Sequence, residues 1–176
     1  MSSGERVVSN SSPLIWLAKI NKLSILKSLF GEVVIPEKVH NETSSGHSAD
    51  SILIKKAVEE GWIKVSKEKN DEASALAEVS GIHLSEAEAI LLARKLGVEL
   101  VVDEREASVT AQVFGVRSVG TVGVLLLALA ENHLTLNEFE ECLDLLITSG
   151  FWLTVDVYKR ALKEARSTVG ERNKTS

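Results

Sequence analysis

One cysteine, Cys142, is all the chain has, so no intrachain disulfide can form. That fits a reducing compartment such as the cytoplasm. The basic excess expected of a protein that coats DNA is missing: the net charge is −5. An acidic nuclease stays open, because a carboxylate site is itself negative until a cation binds. Long apolar runs are also missing. The longest, VGVLLLALA at 122–130, is too short to span a bilayer. MSSGERVVSN at the start has no long apolar core, so neither a signal peptide nor a membrane partner is expected. No glycine-rich phosphate loop, internal repeat or low-complexity linker occurs, and no motif supports a covalent aspartyl intermediate. His40, His47, His83 and His133 show no metal-ligand spacing.

What is present suits one domain of ordinary size, with 44% hydrophobic residues to fill its core. Short β-branched runs alternate with helical patterns. Val7-Val8, Val33–Ile35, Trp62–Val65, Leu100–Val102 and Val116–Val119 read as strands, the third of them edge-like. Pro13 and Pro36 each open a helix, with Ser11 or Ser12 capping the first. TSSGHSAD at 43–50 reads as a loop whose Asp50 caps a helix over 51–60. Further helices are expected over 70–80, over 86–96 with Ser85 just ahead of it, from 104 to Phe114, over 122–131, 135–148 and 154–166. This alternation argues a parallel sheet flanked by helices. The domain is expected to occupy 1–166, with a polar tail over 167–176. Trp16, Trp62, Trp152 and Cys142 are expected to pack inside.

Four runs carry the chemistry: VVSNSSPLI at 7–15, IPEKVHNE at 35–42, LSEAEAILLA at 84–93 and LVVDEREA at 100–107. Each sets oxygen-bearing side chains at a strand end or in the first turns of a helix: Asn10, Ser12, Glu42, Glu86, Glu88, Asp103 and Glu104. In open α/β sheets ligands bind beyond the carboxyl ends of the strands. Carboxylates gathered there suit a hard divalent cation, Mg²⁺ or Mn²⁺, and hence an enzyme acting on phosphodiesters. Plainer roles are open to each. Glu86 and Glu88 suit a helix N-terminus electrostatically. Asp103 or Glu104 can cap the following helix, Ser12 the Pro13 helix, and Asn10 can close an Asx-turn.

Taken in order, SNSSPLIWLAKINKL, FGEVVIPEKVHNE, SEAEAILLARKLG, VVDEREA, FGVRSVGTVGVLLLA and the closing GFWLT segment resemble PIN domains, the fold of VapC-type toxin ribonucleases, over about residues 6–165. The subgroup it looks closest to carries SPLI after the first strand. The resemblance implies a three-layer α/β/α fold with a central, mostly parallel sheet. It implies three or four acidic residues, one or two Mg²⁺ or Mn²⁺ ions, and hydrolysis of RNA. By position the first acidic site falls on Asn10, the second on Glu42, the third on Glu86 (alternate Glu88) and the fourth on Asp103 (alternate Glu104). Ser12 is then a partner to Asn10 or to a metal-bound water, and Thr121 a phosphate contact at a helix start. Lys19, Lys22, Lys38, Arg105 and Arg117 are candidates for RNA backbone contacts. A homodimer and a small antitoxin are the implied partners. Asn10 departs from the family's aspartate: it keeps a carbonyl oxygen but loses the charge. A catalytically inactive PIN-like module that binds RNA or a protein is therefore the alternative.

Overall fold

The structure is a computed structural model and describes residues 6–175. One compact unit ends at Thr121 and a second spans Val122–Ser176. In the first, the chain runs β1 (Val7–Ser9), α1 (Ser11–Lys19), α2 (Ser24–Phe30), β2 (Val33–Pro36), α3 (Glu37–Ser44), α4 (Ala49–Glu59), β3 (Ile63–Ser66), α5 (Ala73–Ser80), α6 (Leu84–Leu96), β4 (Glu99–Val101), α7 (Arg105–Val113) and β5 (Ser118–Val119). The five strands form one sheet in the order β3-β2-β1-β4-β5, and every pairing is parallel. This is a three-layer α/β/α fold with a parallel central sheet. The edge-like strand expected around Trp62 is indeed an edge, β3.

Strand alternation divides the core between the two faces. Val8, Val34, Leu100 and Val102 pack with Ala89, Ile90, Leu92 and Ala93 of α6 and with Ala107 and Ala111 of α7. Val7, Val33, Ile35 and Val101 alternate with them and are likewise buried. Helices α1, α3 and α4 pack on one another, as do α5, α6 and α7. Strand order reverses around β1: β2 lies on one side, β4 on the other. Val8 is in register with Val34 and with Leu100, and Ser9 with Val101. Crevices at the carboxyl ends of strands beside such a reversal are where this class of sheet takes ligands.

Several boundaries differ from the sequence reading. Helix α3 continues to Ser44 into the expected loop, and Asp50 sits in the first turn of α4, behind Ser48 at the cap position. Helix α6 starts at Leu84, so Ser85 lies inside it and is buried. Gly97, at φ 67°, closes α6 in the left-handed region that a side chain would strain.

The second unit begins inside α8 (Thr121–Ala130) and contains α9 (Leu136–Thr148) and α10 (Val155–Thr175). Phe139, Cys142, Leu143 and Leu146 recur at helical spacing along α9 and are buried. Thr135 and Glu138 form a reciprocal capping box at its start. Tyr158 Oη donates to Asp144 Oδ1 at 3.1 Å and Arg166 pairs with Glu140 at 3.1 Å, joining α10 to α9. Helix α10 runs past the expected end at 166, to Thr175. Trp152 does not pack as expected. It is 87% exposed, in the irregular stretch between α9 and α10.

Candidate active site

Asn10 follows β1 directly, and its backbone N–H donates to the Val101 carbonyl at 2.9 Å. This bond carries the β1–β4 ladder one step beyond the strands and brings Asn10 to the start of α7. The side chain is 3% exposed. Its Nδ2 donates to Glu104 Oε2 at 3.4 Å. Its Oδ1 is buried and has no hydrogen-bond partner among the described residues, an arrangement that normally costs about 1–3 kcal/mol.

The next two residues open α1 and diverge by the 100° per residue of a helix. Ser11 Oγ donates to Glu42 Oε2 at 2.5 Å, and Ser12 Oγ donates to Glu104 Oε1 at 2.5 Å. Asn10-Ser11-Ser12 thus holds a carboxylate of α3 and the one that precedes α7. The sequence reading offered Ser11 only as a cap. Three successive oxygen side chains before a helix-opening proline were the signal that each has its own partner.

Glu86 is buried at 4% exposure in the first turn of α6. Its Oε2 accepts the His83 N–H at 2.9 Å, so it also closes the helix N-terminus. Burial holds its carboxyl above the ordinary Glu value; the His83 N–H pulls it back, and Glu104 and Glu42 push it further up. The carboxylates that act on Glu86 are the two gripped by Ser11 and Ser12, so Glu42, Glu86 and Glu104 share one electrostatic neighbourhood beside Asn10. Glu88, two residues on, faces differently. Burial raises its carboxyl too, but its neighbours are Lys38, Glu42, Lys69 and Glu37.

Asp103 and Thr121 bind each other. Asp103 Oδ1 accepts the Thr121 N–H at 2.7 Å and Oδ2 accepts the Thr121 hydroxyl at 2.8 Å. Both Asp103 oxygens are engaged, and neither Thr121 donor is left for a phosphate. Of the adjacent pair it is Glu104, the alternate, that meets Asn10 and Ser12. Glu104 occupies the cap position of α7, yet its side chain makes no capping bond. Burial raises the Asp103 carboxyl while both Thr121 bonds lower it. A Cβ at Gly120 would stand 3.0 Å from Asp103 Oδ1, so a side chain there would press on that carboxylate. Thr121→Val keeps the shape, deletes one donor to a charged acceptor, and is expected to lower stability by about 1–3 kcal/mol. A thermal melt reads this as a fall in Tm of roughly 2–4 °C per kcal/mol; an unchanged Tm would mean the hydroxyl contributes nothing.

The basic candidates divide by position. Lys38 and Arg105 lie in the first turns of α3 and α7, at the carboxylate end. Lys19 lies in the last turn of α1, over the Trp16 ring at 4.7 Å, and Lys22 follows it. Arg117 precedes β5, at the opposite end of the strands.

These donors suit a hard divalent cation. All are oxygens, and Asn10 Oδ1 is a buried acceptor without a partner among the described residues. Among the described residues no three His, Cys, Asp or Glu side chains are grouped to hold an ion directly. Mg²⁺ usually keeps several waters and takes few protein carboxylates.

A sequence model described as a PIN domain matches residues 6–167 of the chain. No curated protein matches it.

Proposed function

Since the chain belongs to the PIN-domain family, a nuclease-type fold, we propose that it is a metal-dependent ribonuclease whose working end is built from Asn10, Glu42, Glu86 and Glu104. The observation that carries this reading is the buried Oδ1 of Asn10, without a hydrogen-bond partner among the described residues, on an amide whose nitrogen meets the Glu104 carboxylate. PIN domains typically use divalent ions, and Mg²⁺ or Mn²⁺ bound here supplies an activated water and stabilises charge on the phosphoryl oxygens. Glu42, Glu104 and Asn10 Oδ1 would hold the ion, directly or through water, and Glu86 would add its charge. Ser11 and Ser12 fix the two gripped carboxylates. Asp103 positions Glu104 through its bonds to Thr121. Lys38 and Arg105 flank the same end and suit the phosphates of an RNA strand.

A toxin role restrained by a small antitoxin, a homodimer and a cytoplasmic location belong to the same proposal. Exposed Leu145, Ile147, Trp152 and Val155 in the second unit favour a protein partner. No described helix is long and apolar enough to cross a membrane. One observation favours the alternative, an inactive module that binds RNA or protein: the first acidic position holds a neutral amide.

The deciding experiment is cleavage of a mixed RNA pool with Mn²⁺ or Mg²⁺, beside Mn²⁺ titration calorimetry. Cation-dependent cleavage is expected. Its absence, with no Mn²⁺ bound, would select the binding module. The pH dependence follows from the raised carboxyl of Glu86. The metal-free fold draws stability from this group below the usual Glu range and loses it as pH rises through the raised value. A cation needs the ionised form, so Mn²⁺ affinity should climb through that same window with proton release. A pH-independent affinity would remove Glu86 from the site.

A further inference from the structure

The end of the sheet opposite the carboxylates carries a cleft that the proposed reaction does not use. Arg6 leads into β1, Gly97 and Val98 into β4, and Gly115–Arg117 into β5, which places these segments at the amino ends of three adjacent strands. They line a cleft of about 250 Å³ together with Arg94, Glu99 and Phe30. Three of the chain's seven arginines, Arg6, Arg94 and Arg117, therefore meet at one place in a protein of net charge −5. Isolated surface arginines need no explanation; convergence on one concavity does.

Each guanidinium is held in its own way. Arg117 pairs with Glu99, whose side chain is mostly buried. Arg6 Nε lies 3.4 Å from Glu32 Oε1. Arg94 sits 5.3 Å from the centre of the Phe114 ring and has no carboxylate partner among the described residues. Two charges are thus positioned by ion pairs, and the third is oriented by an aromatic face that leaves its donors available. Beyond Arg117 a second concavity of about 460 Å³ continues, walled by Ser108, Gln112 and Ser118.

This chemistry selects the ligand. Planar guanidinium forks match phosphate oxygens and bind them through paired, charge-assisted hydrogen bonds. A phosphate can meet more than one arginine at once, which a single carboxylate cannot do as well. The adjoining hydroxyl- and amide-lined space has room for a sugar. We infer that this cleft binds the phosphate of a nucleotide, free or within an RNA strand, with Arg94 and Arg117 as its principal contacts. The site is independent of the carboxylate end and stands whether or not that end holds a cation.

The test is calorimetric titration of the full chain with inorganic phosphate, adenosine 5′-monophosphate and a short single-stranded RNA, under chelator. Wild type is compared with Arg94→Gln, Arg117→Gln and Glu104→Gln, each checked by thermal melt. Saturable binding is expected in wild type and Glu104→Gln, and weakening by about tenfold or more in both arginine variants, the scale of losing a hydrogen bond to a charged group. Arg117→Gln also leaves Glu99 unpaired against the anion, so its loss should be the larger. Arg94→Gln strands no carboxylate and isolates direct contact. RNA binding much tighter than the mononucleotide assigns the phosphate to a strand; equal binding assigns it to a free nucleotide. Wild-type affinity in both arginine variants, a loss confined to Glu104→Gln, or no saturable binding of any probe overturns the inference.

Discussion

Glu104→Gln is expected to reduce cation-dependent RNA cleavage by about 10²–10³-fold while leaving the fold intact. Charge stabilisation by a bound cation amounts to several kcal/mol, and each 1.4 kcal/mol is a factor of ten in rate. Glu104 is the carboxylate bound by both Asn10 Nδ2 and Ser12 Oγ, so neutralising it removes the charge that meets the Asn10 amide. A glutamine can still accept from Ser12, which preserves the local packing. Asp103→Asn should behave differently. It weakens the two bonds to Thr121, so stability falls and activity falls by a smaller factor, about 10–100-fold, as for groups that orient a ligand rather than supply it. If Asp103→Asn abolished cleavage and Glu104→Gln spared it, the assignment of the two neighbours would be reversed.

Asn10→Asp should act in opposite directions with and without metal. In the metal-free protein it removes the donor to Glu104 and sets a second carboxylate at the same 3.4 Å separation. Like charges so close raise one of the two pKa values and destabilise the ionised fold, by about 1–2 kcal/mol on the usual scale of single substitutions. With Mn²⁺ present the new charge meets a cation, and affinity should rise by about tenfold or more, because an effective dielectric near 20 still leaves several kcal/mol between adjacent opposite charges. Thermal melts with and without Mn²⁺ should therefore cross: the variant melts below wild type in chelator and above it in the ion. RNA cleavage should rise alongside. A variant that melts lower under both conditions would mean that no cation binds beside residue 10.

The alternation of strands and helices could be read from the sequence because burial leaves a pattern in composition. β-Branched pairs such as Val7-Val8 and Val33-Val34 have few other uses, and glycines mark where α6 and its neighbours stop. The edge position of β3 was legible from the alternation of Trp62, Ile63, Lys64 and Val65. The exact membership of the site was not. Asp103 and Glu104 are adjacent at a strand end, and which of them turns toward Asn10 depends on how the chain leaves β4, which no side-chain pattern records. Ser11 resembled Ser12 until α1 fixed the angle between them. Glu86 and Glu88 both suit a helix N-terminus; only the position of α6 against β1 and β4 puts Glu86 beside Glu104 and Glu42. Thr121 looked like a phosphate ligand because its donors face out from a helix start, and the acceptor that takes them lies 18 residues earlier in the chain.

The central position of β1 bears on when the site comes into being during synthesis. Its first neighbour, β2, follows within a few dozen residues, but Glu104, which follows the other neighbour β4, lies 94 residues beyond Asn10. A chain leaving the ribosome can form α1, β2 and their contacts while the acidic end is still open on one side, because closing so long a loop must wait for β4 to emerge. Under the proposed ribonuclease function, the ribosome making the chain is then spared until most of the first unit has been made.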